Sequence, residues 1–226
     1  MSSQLTTFSI LLGLTDFVNP IFYTFFFLTM LKNLRFESDA FLFKLFKIGA
    51  IISLIGGYFI PTGKVIVGLG LLDFVMPVPV VHFVNTGFLI SGIALFLMCK
   101  RKSSKDISAI IKVLFAIFYI VAFCLTCIFS RYNTAAVLTG VIGIVLIYVS
   151  LILMSRKAGK TISMTLAILS FFLTFFLAGV GIKANLYSVT VHWLIELTNI
   201  VCQASLFLSA KLLVDNKKAG CNGMTG

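Results

Sequence analysis

Residues 8–31 read FSILLGLTDFVNPIFYTFFFLTML, an apolar run whose one charged side chain is Asp16. A helix needs about 20 such residues to cross a hydrocarbon core of roughly 30 Å, so the stretch reads as a membrane span. Six further runs pass the same test: Phe41 to Ile60, Val78 to Met98, Ile107 to Phe129, Thr134 to Met154, Ile162 to Ile182 and Ser188 to Leu213. Together they use most of the 226 residues. The composition agrees, with 60% hydrophobic and 11% charged residues and a mean hydropathy of +1.12, where a soluble domain carries about a quarter charged. The expected fold class is therefore all-α, a polytopic seven-transmembrane helix bundle. Residues 1–213 are expected to form its single domain, and residues 214–226, VDNKKAGCNGMTG, rich in glycine and small polar residues, a disordered cytoplasmic tail.

The net charge of +11 could point to nucleic acid, but its distribution gives a different reason for it. Lys32, Arg35, Lys44 and Lys47 fall at the first connection, Lys100, Arg101, Lys102, Lys105 and Lys112 at the third, and Arg156, Lys157 and Lys160 at the fifth. Lys211, Lys217 and Lys218 lie at the C-terminal end, whereas the second, fourth and sixth connections hold Lys64, Arg131 and Lys183, one each. The positive-inside rule then places the N-terminus outside or lumenal and the C-terminus in the cytoplasm. No nucleic-acid partner is implied; the expected surroundings are membrane lipids, in a plasma membrane or endomembrane. No Lys or Arg precedes residue 32, so the basic start of a signal peptide is missing and the first run is expected to remain as a span. Cys124 and Cys127 form a CxxC in mid-span with no second pair, which reads as two buried thiols, and Cys99, Cys202 and Cys221 offer no disulfide framework.

The polar residues inside the spans carry the functional reading. LGLTDFVNP (Leu12 to Pro20) returns as LGLLDFVMP (Leu69 to Pro77), each with an aspartate four residues before a proline. Proline has no N–H, so each motif leaves without its helical donor the carbonyl of the aspartate itself. A carboxylate beside a freed carbonyl suits a cation, a proton or a donor from another helix. The region from Val65 to Met98 is too long for one straight span and is interrupted by PVP at Pro77 to Pro79, so a shallow first piece followed by a restarted helix is expected there. On the seventh run Ser188, His192, Glu196, Asn199 and Gln203 recur at helical spacing and form one polar face. An ionisable group in mid-bilayer costs on the order of 3 kcal/mol. Asp16, Asp73 and Glu196 are thus expected to meet, with His192, in the interior of the outer half of the bundle. Any one of them alone is explained by capping or packing; their convergence at one depth on three helices points to a functional centre. His82, deeper on the third span with Asn85 and Thr86, reads as an interior hydrogen-bonding residue.

At these positions the chain resembles the CREST superfamily of seven-helix membrane proteins, which includes the alkaline ceramidases and the progestin and adiponectin receptor group. DFVN (Asp16 to Asn19) resembles an acidic patch in their first helix, and Ser53 in SLIGG looks like the serine of their second. LLDFVMP is similar to the Leu-Leu-Asp that opens their third helix, and SVTVHWL to their paired histidines on the seventh. The resemblance implies a zinc-bound water attacking a lipid amide, with three histidines on the metal and an aspartate and a serine beside it. Ser53, Asp73 and His192 match that pattern, but Gly57 and Ser188 stand where two of the three histidines would be. Zinc is therefore disfavoured, no metal ligand is assigned, and an oxygen-rich set would suit a hard divalent cation better. The leading expectation is a polar pocket that binds a lipid or small molecule through Asp16, Asn19, Ser53, Ser188 and Asn199. If catalysis survives, as in a degenerate or non-zinc lipid hydrolase, Asp73, His192 and Glu196 carry it. Two other readings stay open. One is a cation- or proton-coupled small-solute transporter, against which stands the absence of a repeat relating the first three spans to the last three; the other is a structural or partner-binding membrane subunit.

Overall fold

The computed structural model describes residues 3–34, 39–71, 78–100, 133–183 and 189–221. These residues form seven helices: α1 (Ser3–Asp16), α2 (Val18–Leu34), α3 (Ala40–Gly68), α4 (Val78–Cys99), α5 (Asn133–Lys157), α6 (Thr161–Lys183) and α7 (Val189–Cys221). No strand occurs among the described residues. Four stretches are long and apolar enough to cross a membrane, Ile10–Leu34, Ala40–Gly68, Thr139–Lys157 and Trp193–Val214, and two shorter apolar helical stretches are Phe83–Cys99 and Thr161–Leu177. The expected fourth span, Ile107 to Phe129, lies outside the described residues. Large apolar side chains such as Ile55, Ile162 and Phe172 are exposed, as a surface suited to hydrocarbon requires.

Two sequence expectations meet the backbone at prolines. The first apolar run is not one unbroken helix: it breaks at Phe17, between α1 and α2. Pro20 has no N–H to give to the Asp16 carbonyl, and the turn closes instead with Phe17 N–H donating to Leu14 O at 3.3 Å and Ile21 N–H to Phe17 O at 3.2 Å. Pro61 does the opposite. The expected end of the second span at Ile60 is passed, and α3 continues through the buried Pro61 to Gly68. The shallow piece expected to open the third span is therefore the end of α3, which closes at Gly70 with φ of +68°, a left-handed conformation natural to glycine. α7 likewise runs on as helix to Cys221, into the stretch expected to be disordered.

The chain divides into two compact units. One contains α1, most of α2, the end of α3 from Pro61, the end of α5 from Leu151, and α6 and α7. In it α6 packs along α7, and α1 touches α7. Hydroxyls fasten the α6–α7 seam: Ser163 Oγ donates to Ser209 O and Ser209 Oγ to Ser163 O, both at 2.8 Å, and Ser170 Oγ donates to Cys202 O at 2.8 Å, while Ser155 Oγ at the end of α5 lies 2.7 Å from Ser163 Oγ. Such interhelical bonds average about 0.6 kcal/mol each in membrane proteins, so they set register more than they supply stability. Phe22 and Phe25 of α2 pack on Phe207 of α7, with ring centroids 6.3 and 5.6 Å apart.

The other unit holds α3 up to Ile60, α4, and α5 up to Ser150. Its seams are made of small residues. A Cβ on Gly87 of α4 would lie 2.5 Å from Ser53 Cβ and 2.6 Å from Gly49 O, and one on Gly49 would lie 2.7 Å from Ser91 N. Gly49 and Ser53 on α3, and Gly87 and Ser91 on α4, are each four apart, the small-xxx-small spacing that lets two backbones touch. On the α5 side of α4, a Cβ on Gly143 would lie 2.6 Å from Leu89 Cα, again backbone against backbone.

Candidate functional site

Close contact between α1 and the end of α3 builds the polar centre. Gly13 faces α3 so tightly that a Cβ there would lie 2.8 Å from Val65 Cγ2 and 3.2 Å from Lys64 Cβ, and Gly68 faces Ile10 in the same way. Asp16 is three residues past Gly13, on the same helical face, and so meets Lys64. The Asp16 carboxylate accepts an ion-paired hydrogen bond from Lys64 Nζ through Oδ2. The Asp16 side chain is 7% exposed and that of Lys64 is 37% exposed. The lysine thus reaches inward from the end of its helix to a carboxylate that has almost no water of its own.

A second carboxylate joins from α7. Glu196, 8% exposed, accepts a hydrogen bond from Asn19 Nδ2 at 3.3 Å. Its carboxyl group is also hydrogen-bonded with that of Asp16 and lies within electrostatic reach of Lys64. Asn19 is three residues beyond Asp16, across the Phe17 turn, so α1 and α2 present one carboxylate and one amide to the same glutamate. Two buried acceptor oxygens of this group, Asp16 Oδ1 and Asn19 Oδ1, meet no N–H or hydroxyl donor, and of the two side chains Asp16 has the Glu196 carboxyl as a partner. Leaving a buried polar atom unpaired costs about 1–3 kcal/mol, which makes those two oxygens the least satisfied part of the centre.

One turn further along α7 the polar face continues. Gln203 Nε2 donates to Asn199 Oδ1 at 3.3 Å, and Gln203 also reaches the Tyr23 hydroxyl of α2. The neighbouring Cys202 Sγ lies 3.1 Å from Thr174 Oγ1 and 3.3 Å from Ser170 Oγ. Beyond it Ala167 and Leu206, both fully buried, close the polar face before the serine seam.

The structure therefore brings together three of the residues singled out in the sequence, Asp16, Asn19 and Glu196, with Asn199 following on the same helix. Ser53 belongs to the other unit. Its hydroxyl donates to Ala50 O of its own helix at 3.0 Å, and its Cβ is part of the Gly87 seam. Asp73 and Ser188 lie outside the described residues, as does the side chain of His192; the backbone of His192 is helical in α7. The residue that sequence reading missed is Lys64, taken there as an isolated charge on an outer connection. Its signal was the pair Gly13 and Gly68, which mark a close helix crossing beside it.

Two carboxylates around an ammonium are not a donor set for zinc, which takes histidine and cysteine first, and no group of three His, Cys, Asp or Glu side chains forms among the described residues. No family model matches the chain, and no curated protein or solved structure matches it significantly.

Proposed function

We propose that this chain is a multi-pass integral membrane protein of CREST-like seven-helix architecture, and that its polar centre at Asp16, Asn19, Lys64 and Glu196 binds a lipid or other small molecule. One observation carries the reading: two almost fully buried carboxylates, Asp16 and Glu196, meet each other and a half-buried Lys64 from three helices of the first unit, beside the unfilled Oδ1 of Asn19. A purely structural ion pair has no use for unfilled acceptors, since each weakens the fold. A ligand with hydrogen-bond donors fills them. Asp73, outside the described residues, and His192, one turn before Glu196 on α7, are proposed to complete the centre. The CREST-like assignment rests on the Ser53, Asp73 and His192 matches in the sequence.

A second reading has its own support. Two carboxylates in contact beside one lysine form an ionisable intramembrane cluster, the usual means by which a carrier couples to a proton or cation. Native mass spectrometry of the full chain released from detergent separates the two. A molecule held by the wild type and lost from Asp16→Asn supports the binding centre. No retained molecule, together with solute accumulation in vesicles that a pH gradient drives and Asp16→Asn abolishes, replaces it with the carrier.

A further inference from the structure

Resting on the membrane reading above but not on the polar centre, we infer that the first unit holds the phosphate head group of an anionic phospholipid where the α5–α6 connection meets α7, through Arg156, Lys160 and Lys211 with Lys157 beside them. The place lies about 25 Å along α7 from Glu196, so the two sites share no residue. A fixed scaffold gathers the charges. Lys160 Nζ donates to Leu212 O at 2.9 Å and to Leu213 O at 3.0 Å, which ties the connection to α7 directly after Lys211. The connection is itself a closed turn: Gly159 N–H donates to Arg156 O at 3.1 Å and Lys160 N–H to Ser155 O at 2.9 Å, with Gly159 at φ of +67°. Ser155 Oγ, 2.7 Å from Ser163 Oγ, holds the end of α5 on the start of α6. Arg156, Lys157 and Lys211 are exposed, and Lys160 is half-buried.

The depth is that of a head group. The apolar stretches Thr139–Lys157 and Trp193–Val214 both end here, and the exposed Ile162 and Leu212 stand beside the basic residues, so cationic and apolar surface occur together. A phospholipid meets both, with its phosphate and its acyl chains; free phosphate meets the charge alone. Acid hardly opposes the cluster: from residue 151 to residue 226 the sequence contains Glu196, which belongs to the polar centre, and Asp215. The α7 helix runs on to Cys221 and brings Lys217 and Lys218 shortly after the apolar stretch. Clusters of roughly four to eight Lys and Arg at the end of a span bind anionic head groups, with a gain of about fivefold for each basic residue. Arg156 adds shape to charge, since its planar fork matches two phosphate oxygens. The positive-inside rule asks only for a count of such residues near a span end; the tie from Lys160 to α7 gives them one position.

The test titrates lipid against the full-length protein in detergent. Native mass spectrometry measures retention of phosphatidylglycerol and of phosphatidylcholine, and thermal unfolding measures stabilisation by each lipid and by inorganic phosphate. Wild type is expected to retain phosphatidylglycerol in preference to phosphatidylcholine. The double variant Arg156→Gln, Lys211→Gln is expected to bind phosphatidylglycerol about twentyfold more weakly. Lys44→Gln with Lys47→Gln removes the same charge from exposed positions of α3 in the second unit and should leave that affinity unchanged. Equal retention of the two lipids by wild type, or an equal loss from both double variants, overturns the inference and leaves the membrane reading standing. Inorganic phosphate that stabilises as strongly as phosphatidylglycerol overturns the lipid as the source of the head group. A wild-type chain that stays folded and monodisperse in water without detergent overturns the membrane reading and the inference with it.

Discussion

Exchanging Lys64 for methionine should harm the protein far more than exchanging Asp16 for asparagine, although the two side chains share one ion pair. The asymmetry comes from burial. Lys64→Met leaves Asp16, 7% exposed, and Glu196, 8% exposed, with no described counter-charge. Removing one partner of a buried pair costs about 3–5 kcal/mol, and the partial exposure of Lys64 argues for the lower end, about 3 kcal/mol. Asp16→Asn leaves a lysine that is 37% exposed and can turn outward along its flexible stem; about 1 kcal/mol is expected. The double variant has neither an orphaned charge nor a pair to lose, so it should fall near the milder single variant, with a coupling energy of about 2–3 kcal/mol. Adding Glu196→Gln to Lys64→Met should also recover part of the loss, because it removes the second orphaned carboxylate. The assay is reversible unfolding in mixed micelles, followed by fluorescence of the single tryptophan, Trp193. Strictly additive losses, or a Lys64→Met no worse than Asp16→Asn, would refute a buried centre with a lysine reaching into it.

Other consequences follow from the helix seams. Gly87→Ala and Gly143→Ala each force a methyl against backbone, so each should lower stability by about 1–3 kcal/mol, whereas Gly159→Ala, in open space at φ of +67°, should cost about 1 kcal/mol of backbone strain alone. Gly13→Val should separate α1 from the end of α3 and, measured in the double-variant cycle above, reduce the coupling between residues 16 and 64 to near zero. Ser163→Ala removes the shared hydroxyl of the α6–α7 seam and should cost no more than about 1–2 kcal/mol by the same unfolding assay.

Periodicity and hydropathy carry the helices without ambiguity, because a bilayer accepts few backbone solutions and apolar runs of this length leave none but helix. What the runs do not carry is where a helix stops. Pro20 and Pro61 are the same residue type within apolar sequence, yet the chain breaks near one and passes through the other, so the residue type alone does not decide the outcome. The polar centre was legible as far as its acids, because Asp16 and Glu196 are costly anywhere but in the interior. Lys64 was not, since a lone lysine between two apolar runs looks like any loop charge until the glycine contacts fold its helix end onto α1. Ser53, which stands out in the sequence beside a family motif, sits at four-residue spacing from Gly49 in a seam of small residues.

The most direct test of the central claim is an experimental structure of the full chain in lipid. Non-protein density among Asp16 Oδ1, Asn19 Oδ1 and the Glu196 carboxylate, within hydrogen-bond distance of all three and absent from Asp16→Asn, is the expected result. Asp16 or Glu196 turned to lipid, or both free oxygens filled by the protein's own donors, would contradict it.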